Sequence, residues 1–158
     1  INKVSKKIKK KIIISKINSI NNFYQKFLGF KPKIAVTGLN PHCETFAGKD
    51  FEKTEILPAI RILKKKKVKV FGPLSADTVF LKNNRKKFNV IVGMYHDQVL
   101  APMKTIFGFN AINITIGLPF VRISPDHGPN YKMFGLNKSN PNSLIQAFNF
   151  LKKYAVKA

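Results

Sequence analysis

Acidic residues are scarce in this chain. Seven Asp and Glu stand against 29 Lys and Arg among 158 residues, a formal net charge of +22, and none of the seven precedes Glu44. There is no Trp, and the single cysteine, Cys43, excludes an intrachain disulfide. No stretch approaches the ~20 apolar residues of a membrane span. The basic start carries neither a long apolar run nor a small-residue cleavage site, so no signal peptide is expected in it. These absences predict a cytoplasmic chain with no membrane partner. Because it begins at Ile1 and not Met, its natural N-terminus is expected to lie upstream. Neither GxGxxG nor GxxxxGK[ST] occurs, which disfavours a Rossmann dinucleotide site and a P-loop.

What is present suits a globular domain: 44% hydrophobic and 11% aromatic residues with nine Gly and nine Pro. The charge points first to nucleic acid. Only three of the basic residues are Arg, however, and readers of phosphates and base edges favour the guanidinium. The Lys excess travels with Ile, Asn and Phe, as an A/T-rich coding bias on solvated faces would produce. The expectation is no nucleic acid, with a basic nucleic-acid-binding module kept as an alternative.

Residues 1–32 form a basic segment in which Ile13, Ile17, Ile20, Tyr24 and Phe27 recur at helical spacing, predicting a helix from about Lys9 to Leu28 closed by Gly29. Residues 33–158 alternate apolar strands with helices. Strands are predicted at 33–37, at 68–71 (stopped by Gly72-Pro73), at 89–94 and at 111–116. Helices are predicted over about 54–65, from a Ser75 cap through Phe80, and from Pro141 with Leu144, Phe148 and Leu151 lining one face. The fold class is α/β, a largely parallel sheet flanked by helices.

Ligands gather at the carboxyl ends of strands in such sheets. His42 and His96 each follow an apolar strand, and imidazole suits borderline divalent metals, although two histidines alone do not close a site. Asp97 adjoins His96, and Asp77 reads either as an acceptor orienting a histidine or as a helix cap. Lys104 reads as one surface charge among many, whereas Arg122, following Leu118-Pro-Phe-Val121, needs an anion. Cys43 reads as a small filler in preference to a nucleophile.

The blocks IAVTGLNPH (34–42), GPLSADTVF (72–80), GMYHDQ (93–98) and NITIGLPFVRISPDHG (113–128), with Ser143 and Ala147 in the tail, resemble the 4-hydroxythreonine-4-phosphate dehydrogenase family of pyridoxal phosphate biosynthesis. The resemblance runs from Lys33 to Leu151 and implies the C-terminal portion of a longer enzyme. Two local departures stand at Cys43-Glu-Thr-Phe46 and at Asp126-His-Gly-Pro-Asn130.

The family's fold is similar to that of the isocitrate and isopropylmalate dehydrogenases, whose nicotinamide site is not of Rossmann type. By the resemblance His42 and His96 are two of three histidines that hold a divalent metal (zinc, magnesium or cobalt), the third belonging upstream. Lys104, Asn113 and Arg122 bind substrate, and Asp77 and Asp97 orient the ligands or carry a proton. Across those relatives His127, Gly128 and Asn140 correspond to residues at the adenosine end of NAD or NADP.

The implied reaction is NAD-dependent oxidation and decarboxylation of 4-phosphooxy-L-threonine, a phosphorylated hydroxy-amino acid, by a homodimer with a shared active site. The fragment alone is expected to be inactive. A dehydrogenase of threonate or erythronate phosphate is the alternative within the same chemistry.

Overall fold

The Lys-rich start folds because its isoleucines share one side. In the computed structural model, which describes residues 4–43, 50–129 and 131–154, a short helix α1 (Val4–Lys7) precedes α2 (Lys10–Phe23). Ile13 and Ile17 of α2 are buried, and its lysines, Lys10, Lys11 and Lys16, face solvent. Past Phe23 the chain widens into a π-helical turn, Tyr24–Leu28, closed by Gly29 at φ +82°. The chain divides into two compact units, Ile1–Leu100 and Ala101–Ala158.

In the first unit β1 (Ile34–Thr37) is buried at every position, as a strand covered on both faces must be. Ile34 and Val36 pack with Ile13 and Ile17 of α2 and with Ile60 and Leu63 of α3 (Leu57–Lys65), and Ala35 packs oppositely with Val79 and Phe80. A π-helical turn, Glu52–Ile56, extends that helix upstream. Pro58 therefore falls in the first turn of α3 but not at a free helix start, and the π-helical pattern before it leaves one upstream carbonyl without the N–H that another residue would supply.

β2 (Val70–Leu74) does not stop at Gly72-Pro73 as expected. It continues to Leu74 because Gly72, at φ +137°, takes up a register irregularity against β1 between Ala35 and Thr37. No helix follows Ser75. Its carbonyl accepts from Val79 N at 3.1 Å in a turn that goes no further, and α4 (Lys82–Arg85) comes later. β3 (Val90–Val92) is shorter than predicted, and the three strands run parallel in the order β2-β1-β3.

Helix α5 (His96–Phe107), with Pro102 inside it, was not expected. In the second unit β4 (Ile112–Thr115) and β5 (Arg122–Pro125) pair antiparallel, so the parallel pattern belongs to the first unit. The last helix, α6 (Asn142–Tyr154), packs on both strands through Ser143 and Ala147. The expected apolar face is not the buried one: Leu144 and Phe148 are 46% and 64% exposed, because small side chains allow the closer approach. Among the described residues no helix is long and apolar enough to cross a membrane.

Candidate functional site

The three parallel strands deliver their polar exits to one edge. His42 lies beyond β1, Asp77 beyond β2 and His96 beyond β3. The loop after β1 is fixed along its length. Gly38 N donates to Leu74 O at 3.0 Å, Asn40 N to the buried Glu52 Oε1 at 2.9 Å, and His42 N to Asn40 Oδ1 at 3.0 Å. Ala76 N donates to Pro41 O at 2.8 Å, which ties the loop carrying His42 to the loop carrying Asp77.

His42 Nδ1 then stands 3.1 Å from Asp77 Oδ2, and His96 Nδ1 stands 2.7 Å from Asp97 Oδ1. Each imidazole therefore meets a carboxylate at Nδ1, the arrangement that leaves Nε2 to act as a ligand. Asp77 caps no helix. The donor chemistry fits a divalent cation as two imidazole ligands, and among the described residues no group of three or more His, Cys, Asp or Glu is placed to hold one.

Cys43, at φ +60°, is half-buried, and burial pushes its thiol above the ordinary value. A raised pKa leaves less thiolate at neutral pH, which agrees with a filler. Iodoacetamide should label Cys43 more slowly than a free cysteine at pH 7. A faster rate would restore the nucleophile. Glu44 to Phe46 and Asn130, where the two departures in the motifs fall, lie outside the described residues.

In the second unit, Asn113 pairs with Ser124 and Thr115 with Arg122 across the hairpin, so Asn113 and Arg122 share a face. Both are exposed. The Arg122 guanidinium donates to Thr115 Oγ1 at 3.3 Å, and among the described residues no carboxylate pairs with it. Lys104 is placed differently, its Nζ 3.0 Å from Asp126 Oδ2 and also against the Asp126 carbonyl.

Ser143 secures that corner. Its Oγ accepts from Asp126 N at 2.8 Å and donates to Ala111 O at 2.5 Å. Directly after Asp126, His127, Gly128 and Asn140 line one cavity of about 470 Å³ together with Phe109, Met133 and Lys138. Lys138 was not anticipated, since one more lysine carried no signal.

The sequence profile described as "Pyridoxal phosphate biosynthetic protein PdxA" matches residues 1–151. A 4-hydroxythreonine-4-phosphate dehydrogenase from Sulfurihydrogenibium sp. is 46% identical over 146 residues, covering 91% of this chain and 45% of the relative. One from Bradyrhizobium diazoefficiens is 45% identical over 130 residues, covering 79% and 36%. Among solved structures, the 4-hydroxythreonine-4-phosphate dehydrogenase of Klebsiella pneumoniae superposes with a TM-score of 0.80 at 31% identity, over 95% of this chain and 46% of that one. The Burkholderia phymatum enzyme gives 0.75 at 33% identity, over 93% and 45%. The chain thus spans less than half the length of the relatives it matches.

Proposed function

The chain belongs to the PdxA family, and from that premise we propose that it supplies the metal-, substrate- and nicotinamide-binding portion of an enzyme that oxidises 4-phosphooxy-L-threonine. The observation that carries the reading is the pair of histidines at the carboxyl edge of adjacent parallel strands, each with a carboxylate at Nδ1.

Asp77 and Asp97 accept from Nδ1–H and hold each ring in the tautomer whose Nε2 lone pair is free. Either carboxylate would also serve as acceptor of the hydroxyl proton of a bound substrate. A divalent cation held by the two Nε2 atoms would supply Lewis-acid stabilisation of charge on oxygen, and a bound nicotinamide would supply the hydride acceptor. His127, Gly128 and Asn140 hold the adenosine end in the cavity they line.

Arg122, exposed and without a carboxylate partner among the described residues, binds the phosphate or carboxylate of the substrate, with Asn113 on the same face as a neutral donor. Lys104 adds a second cation, held by Asp126 until an anion competes for it. Oxidation leaves a ketone β to the carboxylate, so carbon dioxide departs and 3-amino-2-oxopropyl phosphate remains. A homodimer is the proposed assembly, with exposed Phe109, Leu118 and Phe120 as apolar surface for it.

The test joins residues 1–158 to the N-terminal portion of the Sulfurihydrogenibium relative and follows reduction of NAD. Turnover of 4-phosphooxy-L-threonine is expected. A higher kcat/KM on threonate or erythronate phosphate would reassign the substrate, and salt-dependent DNA binding without turnover would favour the nucleic-acid alternative. Arg122→Glu should raise KM by about a hundredfold, since a charge-assisted contact of ~1.5–3 kcal/mol becomes a repulsion. Its thermal midpoint should stay unchanged, because its hydrogen bond lies on an exposed face. An unaltered KM would remove Arg122 from the substrate site.

A further inference from the structure

We propose that Gln98 is a positioning residue that sets the spacing between the two histidine loops. This inference rests on the metal pair proposed above. The backbone ladder between β1 and β3 ends at Val36 and Val92. Beyond it the chain runs on to His42 and His96, and side chains continue the connection, Thr37 Oγ1 standing 3.3 Å from Val92 O and Gln98 reaching further along both exits. Gln98 Nε2 donates to Gly38 O at 2.8 Å, on the exit from β1. Its Oε1 accepts from Met94 N at 2.7 Å, on the exit from β3, and from Thr37 Oγ1 at 2.8 Å. The orientation of the carboxamide is fixed by its partners, because a backbone N–H only donates and a carbonyl only accepts.

The site is built to admit this group. Gln98 is buried, and a Cβ on Gly93 would stand 2.3 Å from Val99 Cγ2 and 3.2 Å from Gln98 Oε1, so only glycine lets the first turn of α5 close in. An apolar side chain would fill this space but leave Gly38 O and Met94 N without these partners. What the amide adds is a fixed separation of two backbones, four residues before His42 and two before His96. Two imidazoles can bind one cation only at a set separation, so a tie at this point acts on metal affinity.

The experiment titrates the chain with Zn(II) alone and follows the His42 and His96 ring proton resonances by NMR, assigned through His→Asn variants. In the parent chain both should move at the same Zn(II) concentration. In Gln98→Met, of similar length but unable to make any of the three hydrogen bonds, they should move separately and need at least about tenfold more metal, the usual cost of losing a supporting contact. A role in packing alone would lower the melting temperature and leave the two titrations coincident, which would overturn the proposal.

If Gln98→Met does not fold, Gln98→Glu decides, because it keeps the shape and both accepted hydrogen bonds and loses only the donation to Gly38 O. A shift to higher Zn(II) supports the tie, and an unchanged titration overturns it. If neither histidine responds in the parent chain, the same titration of the joined enzyme decides, since it supplies the third ligand; no response there rejects the metal pair, and the positioning role falls with it.

Discussion

Gly72→Ala is expected to be among the most destabilising single changes in the first unit. At φ +137° any residue with a Cβ is strained, at about 1–3 kcal/mol. A Cβ there would also stand 2.4 Å from Val36 O. That carbonyl belongs to the central strand, buried on both faces, and cannot retreat without moving α2 and α3. The strain and the overlap together should cost about 3 kcal/mol or more, a large part of the ~5–15 kcal/mol that holds a domain.

Gly29→Ala is the control. Its φ is also positive, at +82°, but nothing lies within 4 Å of the added carbon, so only the conformational cost applies. Thermal melts followed by circular dichroism should show Gly72→Ala falling well below Gly29→Ala. Equal losses would mean that the approach to Val36 does not matter. The change should also disturb the site, since β2 leads through Leu74 to the loop where Ala76 and Asp77 meet Pro41 and His42.

Local rules read well where one force dominates. The α2 stripe and the β1 run were legible because burial imposes a period on the sequence. β2 was cut short because Gly-Pro usually ends a strand, and its continuation depends on the fit of Gly72 against Val36, a tertiary fact. α5 was missed because Pro102 and mixed polarity hide its period. The buried face of α6 is hidden for a related reason: size does not say which side of a helix meets a neighbour, and here Ser143 and Ala147 do.

The candidate site follows the same division. His42 and His96 were legible as polar residues at strand ends. The choice between the two roles of Asp77 needed the Ala76–Pro41 hydrogen bond, which joins segments distant in sequence. Gln98 gave no signal of its own, since a glutamine two residues after a histidine looks like any other polar residue of a helix. Its role lies in three partners, Thr37, Gly38 and Met94, that only the folded chain assembles.

In the joined enzyme, His42→Ala should abolish measurable oxidation, while Asp77→Ala should weaken it by a smaller and recoverable factor. An imidazole that binds the cation directly supplies part of the several kcal/mol of charge stabilisation in the transition state, and each ~1.4 kcal/mol is tenfold in rate, so a loss of about a thousandfold or more is expected. Asp77 acts one contact further out, and removing such a partner commonly costs about 10- to 100-fold in metal affinity or activity. The two variants should part on metal addition. Raising Zn(II) should restore Asp77→Ala, whose Nε2 ligand remains, and leave His42→Ala inactive. Stability should not separate them, because the His42 and Asp77 side chains are 70% and 38% exposed and an exposed pair contributes only ~0–1 kcal/mol. Melting temperature and turnover measured on the same preparations give the decision. Full turnover in His42→Ala would remove the histidine pair from the chemistry, and a loss in Asp77→Ala that metal does not restore would make Asp77 the proton acceptor and not the orienting group.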